Sequence, residues 1–296
     1  MLLMKKSVSL IWLSSLTLLF VLVYAALGLF WLGEGTSYDF TTLHGQTVQI
    51  QGRGVYQFDT VLSAAAFRGT DMITLFVVLP LLAISLLQYR RGSLRGGLLL
   101  TGSLFYCFYN ALTLATGAAY NNLLLLYIAA MSLGFFAFVL ALMQVKLDEL
   151  PKRVLPGMPH RGITAFMLVA GVATAIIWLA LILAPLLQGT VPEAVASYTT
   201  VITFVLDLGF ITPIAILTGI MIRQRKPRGY VFASCLLLML TLIGLVVIGQ
   251  TIFQLQAGII FGMQELIGLI ASWIVLAAIS GGLLIAFLRN IAEKAG

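Results

Sequence analysis

Two acidic residues stand inside long apolar runs, Asp207 and Glu265. An ionised side chain at the centre of a bilayer helix costs at least about 2.5–3.5 kcal/mol, so each needs a local reason. Their neighbours at helical spacing supply one. Thr200, Thr203 and Asp207 fall at i, i+3 and i+7, one face of a helix. Ser103, Tyr106, Asn110, Thr113 and Gly117 make a similar stripe in another apolar run, and Gln250 and Gln254 are i, i+4 neighbours in a third. Glu265, Gly268 and Ser272 share a face as well. Membrane helices pack through small and polar residues, so each stripe alone would be ordinary interface. The two acids ask for more. With Asn110, Gln250, Tyr106 and Thr203 they form the candidate set for a small polar ligand or a cation. Arg68 is the nearest candidate counter-charge, with Asp71 one turn beyond it as a competing partner. This pair is the candidate gate or lid.

Other chemistries fail on residue type or place. His44 and His160 are the only histidines and lie in separate loops, which excludes a haem and a zinc centre. No lysine sits within a span to carry a retinal Schiff base, and no GxxxxGK[ST] loop is present to hold a nucleotide. Serial arginines of a voltage sensor are absent. Asp207 and Glu265 lack the flanking motifs of intramembrane aspartyl proteases. Cys107 and Cys235 both lie in apolar segments, so neither a disulfide framework nor a CxxC site is available. No catalytic residue, cofactor or metal is read from the sequence.

These residues are carried by a chain of 296 residues, 61% hydrophobic and 9% charged, with mean hydropathy +1.08. A soluble domain carries about 25% charged residues. The basic residues are spread between apolar runs and form no face, which excludes a nucleic-acid binder despite the pI of 9.6. Crossing about 30 Å of hydrocarbon takes about 20 apolar residues. Eight segments qualify, at 8–32, 70–89, 96–117, 121–145, 163–187, 199–222, 229–253 and 259–288. Open backbone cannot face lipid and no barrel alternation is present, so the fold class is an all-α, polytopic membrane bundle of eight helices. The first run is longer than the 7–15 apolar residues of a cleavable signal, so it is read as a retained helix despite Ala25 and Ala26.

All of the 17 basic residues except Arg53 and Arg68 fall on one side of this arrangement. The positive-inside rule then places both termini in the cytoplasm. Asp207 would lie about 13 Å below the outer end of its helix at 1.5 Å per residue. The one long connection, 33–69, lies outside. Thr47–Gln51 alternates with period two, Gly52-Arg-Gly54 supplies a turn and Val55–Phe58 follows, which predicts a small hairpin of these two segments. Asp59 fits an N-cap for a short helix from Thr60 to Phe67 that ends at Arg68-Gly-Thr-Asp71. A long ordered loop of this kind is a candidate lid over the outer mouth. A shift of 133 positions places Pro80 on Pro213, Arg90 on Arg223, Arg95 on Arg228 and Gly96 on Gly229. The interval holds four spans, as in a parallel duplication into two four-helix repeats.

The stretch from Gly45 to Gly97, with GRGVYQFDT, AFRGTD and YRRGSLRGG, resembles a family of uncharacterised bacterial integral membrane proteins, and the similarity runs along most of the chain. The resemblance implies a protein of the bacterial inner membrane and carries no known activity, so no residue role transfers from it. The functional expectation is therefore a transporter- or permease-like protein with an outward-facing polar cavity. Its alternative is a non-catalytic membrane subunit, or a component that binds lipid or a membrane-protein partner. An enzyme acting on a lipid-linked substrate is a third class with no readable catalytic constellation. The scarcity of polar residues in the inner half of the spans counts against alternating access.

Overall fold

The computed structural model describes residues 6–293, with the side chains of residues 265, 266, 268 and 269 outside that description. Eight long apolar helices form a multi-pass membrane bundle: α1 (Val8–Phe30), α2 (Val61–Arg90), α3 (Leu94–Gly117), α4 (Leu124–Gln144), α5 (His160–Leu187), α6 (Ile202–Arg223), α7 (Pro227–Gln256) and α8 (Ser272–Arg289). A helical turn, Met263–Glu265, and a wide π turn, Leu266–Ala271, lead into α8. Between α1 and α2 lies an antiparallel hairpin of β1 (Tyr38–Thr41) and β2 (Thr47–Ile50), with Tyr38 opposite Ile50 and Thr41 opposite Thr47. The expected partner, residues 55–58, forms turns instead, and β2 pairs with the strand before it. Among the described residues it is the only sheet. The hairpin marks one end of the bundle, and the basic connections mark the other.

The second span differs from its sequence reading. The expected break at Arg68-Gly-Thr-Asp71 does not occur, and one helix runs from Val61 to Arg90. Gly69 lets α2 approach α7 so closely that a Cβ there would stand 2.5 Å from the Gln250 nitrogen. Small residues at such contacts allow backbones to meet. The cap is Thr60, whose Oγ1 accepts from the Ser63 N–H at 3.2 Å, and Asp59 is left for other partners.

The 133-residue correspondence extends to backbone geometry. α2 contains a π turn at Thr74–Val78, closed by the Leu79 N–H on the Thr74 carbonyl. α6 has its counterpart at Asp207–Ile211, closed by the Thr212 N–H on the Asp207 carbonyl. Each turn ends two residues before a proline, Pro80 or Pro213. Proline lacks an N–H and crowds the preceding turn, and a widened turn absorbs both defects. The turn after α2 places Gly92 at φ 86°, and the turn after α6 places Arg225 at φ 55°, the same position after the shift. Gly96 packs on Gln88, and Gly229 packs on Met221, again the shifted pair.

The two halves meet at α3 and α7, the most enclosed helices. Gly102 lies against Cys235, its own counterpart, with a Cβ at Gly102 placed 3.3 Å from the Cys235 Cα. A residue that touches its counterpart lies on a two-fold-like axis, and four spans per half direct that axis across the membrane. The contact of Gly69 with Gln250 has its mirror in that of Ile202 with Gly117. At the basic end, the Glu293 carboxylate accepts from Ser93 Oγ at 2.7 Å and from the Leu94 N–H at 2.8 Å. It thereby caps α3, where the positive end of the helix dipole favours an anion.

Candidate functional site

Asp207 opens the π turn of α6 and is 5% exposed. Its Oδ1 accepts from Tyr109 Oη of α3 at 2.8 Å, and its Oδ2 accepts from Trp178 Nε1 of α5 at 2.9 Å. The Trp178 ring packs on Phe204 with centroids 5.3 Å apart. Both oxygens are thus held by neutral donors, and one bond joins the second half to the first. Asn110, Gln250 and Tyr106 make none of these contacts. Thr203, one turn away on α6, is half-buried and takes no part in them. The side chain of Glu265 lies outside the described residues; its backbone closes the turn Met263–Glu265.

The other candidates gather around Asp71. Its carboxyl is fully enclosed between α1, α2 and the hairpin loop. Oδ2 accepts from Tyr56 Oη at 2.7 Å, while Oδ1 has no hydrogen-bond partner. Gly28 of α1 faces this carboxyl, and a Cβ there would collide with Oδ2. Deeper along the same helix, Thr74 Oγ1 accepts from Asn110 Nδ2 at 3.4 Å and also partners the Tyr106 hydroxyl. Asn110 Nδ2 reaches Tyr24 Oη at 3.0 Å, and the Tyr24 ring stands edge-on to Tyr127 at 5.4 Å. Toward the hairpin end, Gln250 Nε2 donates to Thr70 Oγ1 at 2.9 Å and so ties α7 to α2. Asn110, Tyr106 and Gln250 therefore group with Asp71, and Asp207 stands in a separate cluster.

Arg68 and Asp71, the candidate gating pair, form no ion pair. The Arg68 guanidinium lies over the Phe253 ring, 5.2 Å from its centroid, and Nη2 donates to the Leu29 carbonyl at 3.4 Å. Nε is buried without a partner. Above this level Asp59 fastens three connections together. Its Oδ1 accepts from the Ala119 N–H at 2.8 Å and from Tyr198 Oη at 2.9 Å, and Tyr198 Oη in turn accepts from the Thr60 N–H at 3.2 Å. Burial pushes the Asp59 carboxyl up to about 7, since the cost of desolvating the ionised form exceeds what these two donors return.

The hairpin separates two recesses. One of about 380 Å³ is bordered by Tyr38, Phe40, Ile50 and Phe58, by the end of α3 and by the connection that precedes α6. The other, of about 480 Å³, is bordered by Ser37, Gln49, Gln51, Arg53, Arg68 and Phe253. No group of three or more His, Cys, Asp or Glu suited to a metal ion occurs among the described residues. Sequence reasoning missed Tyr24, Tyr56, Tyr109 and Trp178. These side chains count as apolar in a hydropathy profile, and their polar tips carry no periodic signal. Only the general rule that buried Tyr and Trp polar groups find partners pointed toward them.

The fold and these clusters define a multi-pass membrane protein whose polar interior is gathered toward the hairpin end. No protein-family model, curated protein or solved structure matches the chain.

Proposed function

We propose that this is a transporter- or permease-like protein of a bacterial inner membrane, with both termini in the cytoplasm and a polar site entered from the outside. The observation that carries the reading is the enclosed Asp71 carboxyl with its unpartnered Oδ1. A buried polar atom left unpaired costs about 1–3 kcal/mol, and its persistence in a native structure calls for an explanation. Ionisable groups within membrane helices are by default groups that meet an ion or substrate. Asp71 also belongs to a graded series. Arg68 lies nearest the hairpin recess, Thr70 and Gln250 follow, then Asp71 with Tyr56, then Thr74 with Asn110, Tyr24 and Tyr106. In this reading a ligand leaves water at the recess and exchanges its hydration for these side chains. The chain belongs with the uncharacterised bacterial membrane proteins that its 45–97 segment resembles.

One observation favours a second reading, a membrane subunit or partner-binding component. Asp207 is satisfied at both oxygens by Tyr109 and Trp178, as a purely structural tie between the halves would be. Thiol accessibility separates the two. With Cys107 and Cys235 replaced by alanine, a cysteine at Thr74 is expected to react with a small charged thiosulfonate from the hairpin side in cells. In inverted vesicles it is expected to react from the basic side. Labelling from one side only reduces the protein to a binding component, and labelling from neither leaves the subunit reading.

A further inference from the structure

The hairpin is a two-sided wall. Successive strand residues point to opposite faces, so Tyr38, Phe40 and Ile50 border one recess while Ser37, Gln49 and Gln51 border the other. The polar recess collects Arg53 and Arg68, the two arginines that the charge pattern leaves on the hairpin side. No carboxylate borders it among the described residues. Asp39, opposite Gln49 in the ladder, lies on the same face of the hairpin but is not among the residues that border the recess. Neither arginine forms an ion pair among the described residues. The last carbonyls of α7 beside the recess are occupied by the N–H groups of Ala257, Gly258 and Ile259, so that helix end offers few free acceptors. Two guanidinium groups facing one concavity repel each other unless an anion lies between them.

We infer that this recess binds an oxyanion, specifically the phosphate group of a phosphate ester, with Arg68 as the inner contact and Arg53 at the rim. The Arg68 guanidinium borders the recess and donates to the protein only through Nη2, so donors are left for such a ligand. The face of Phe253 fixes the plane of the guanidinium, and a planar fork suits the bidentate geometry of phosphate. Ser37, Gln49 and Gln51 add uncharged donors. The recess lies where the helices meet the hairpin, within reach both of a lipid headgroup and of a water-soluble phosphate. The inference does not rest on transport, because it concerns binding at the recess and leaves the accessibility of Thr74 aside.

The test uses the purified full-length chain. Inorganic phosphate and glycerol 3-phosphate are titrated calorimetrically, and in parallel the retention of phosphatidylglycerol against diacylglycerol is read by native mass spectrometry. Arg68→Gln is expected to weaken binding by about tenfold or more, the loss expected when charge-assisted hydrogen bonds go. Arg53→Gln is expected to weaken it several-fold, and Arg68→Lys to restore part of the affinity. Arg91→Gln, exposed at the basic end, is expected to change nothing. Arginine-dependent binding of the soluble phosphates identifies an aqueous ligand, and arginine-dependent retention of phosphatidylglycerol identifies a lipid. Binding to neither, or binding indifferent to both arginines, overturns the inference. Should Arg68→Gln fail to fold, the exposed Arg53 carries the same comparison.

Discussion

Asp59, Asp71 and Asp207 are buried carboxyls held by neutral donors, yet their surroundings give them different tasks. Asp207 has one donor for each oxygen, Asp71 has one donor in all, and Asp59 has two donors on a single oxygen. Asp59 lies outside the spans, where pH can act on it. Its carboxyl titrates at about 7 in the folded protein against an unfolded value of 3.8. The folded latch therefore binds the proton more tightly. Its contribution is fully present below the unfolded value and is lost as pH rises through about 7. Hydrogen exchange at Ala119, corrected for the intrinsic rate, is expected to show protection that falls between pH 5 and 8. Asp59→Asn keeps an acceptor oxygen for Ala119 and Tyr198 and removes the charge, so its protection is expected to be flat over that range. A wild-type profile as flat as that of the variant would refute the latch. At this scale the sequence told unevenly. Asp207 stood out because a charge in an apolar run has no neutral explanation. Asp71 stood out only as the partner of Arg68 in a candidate gate, whereas its carboxyl is enclosed against Tyr56 and forms no ion pair with Arg68.

Elements repeat with the residues that shape them. The π turns at Thr74–Val78 and Asp207–Ile211 stand at the same distance from their prolines, so proline chemistry accounts for both. The turns that follow diverge in one informative place. Both need a left-handed residue, which glycine adopts freely at Gly92, whereas Arg225 must adopt it with a Cβ in place. A left-handed non-glycine residue costs about 1–2 kcal/mol. Arg225→Gly is therefore expected to raise the thermal midpoint in detergent, and Gly92→Ala to lower it by a comparable amount. Equal and small shifts in both would mean that the turns relax and that the shared geometry carries no strain. The helices themselves were legible from hydropathy, since hydrocarbon leaves a backbone few alternatives. A helix starting near Thr60 was legible too, but its continuation through Arg68-Gly-Thr-Asp71 into the span was not, because it depends on the close approach of Gly69 to α7.

At the scale of the molecule, two halves pack around the contact of Gly102 with Cys235, and the sidedness of the polar groups breaks their equivalence. The first half carries the hairpin, Asp71 and its tyrosines, and the second carries Asp207 at the place of Thr74. The 133-residue correspondence was legible from Pro80, Arg90, Arg95 and Gly96, but the contact between the halves was not, since it depends on which faces of α3 and α7 meet. The proposed orientation rests on charge. Arg91 and Lys152 in connections and Arg223 and Arg228 at helix ends lie at one end, and Arg53 and Arg68 are at the other. Loops rich in Lys and Arg are retained in the cytoplasm, and short connections obey this bias most strongly. In the proposed orientation an even number of spans returns both termini to that side. In a background with Cys107 and Cys235 replaced by alanine, single cysteines at Gln57 and Glu193 are expected to react with a membrane-impermeant maleimide in intact cells. Cysteines at Arg91 and Gln224 are expected to react only after the membrane is opened. Glu193 and Gln224 lie in connections on either side of α6, so like labelling at these two positions would mean that α6 does not cross, whereas reversal at all four positions would invert the protein and place the arginine recess in the cytoplasm.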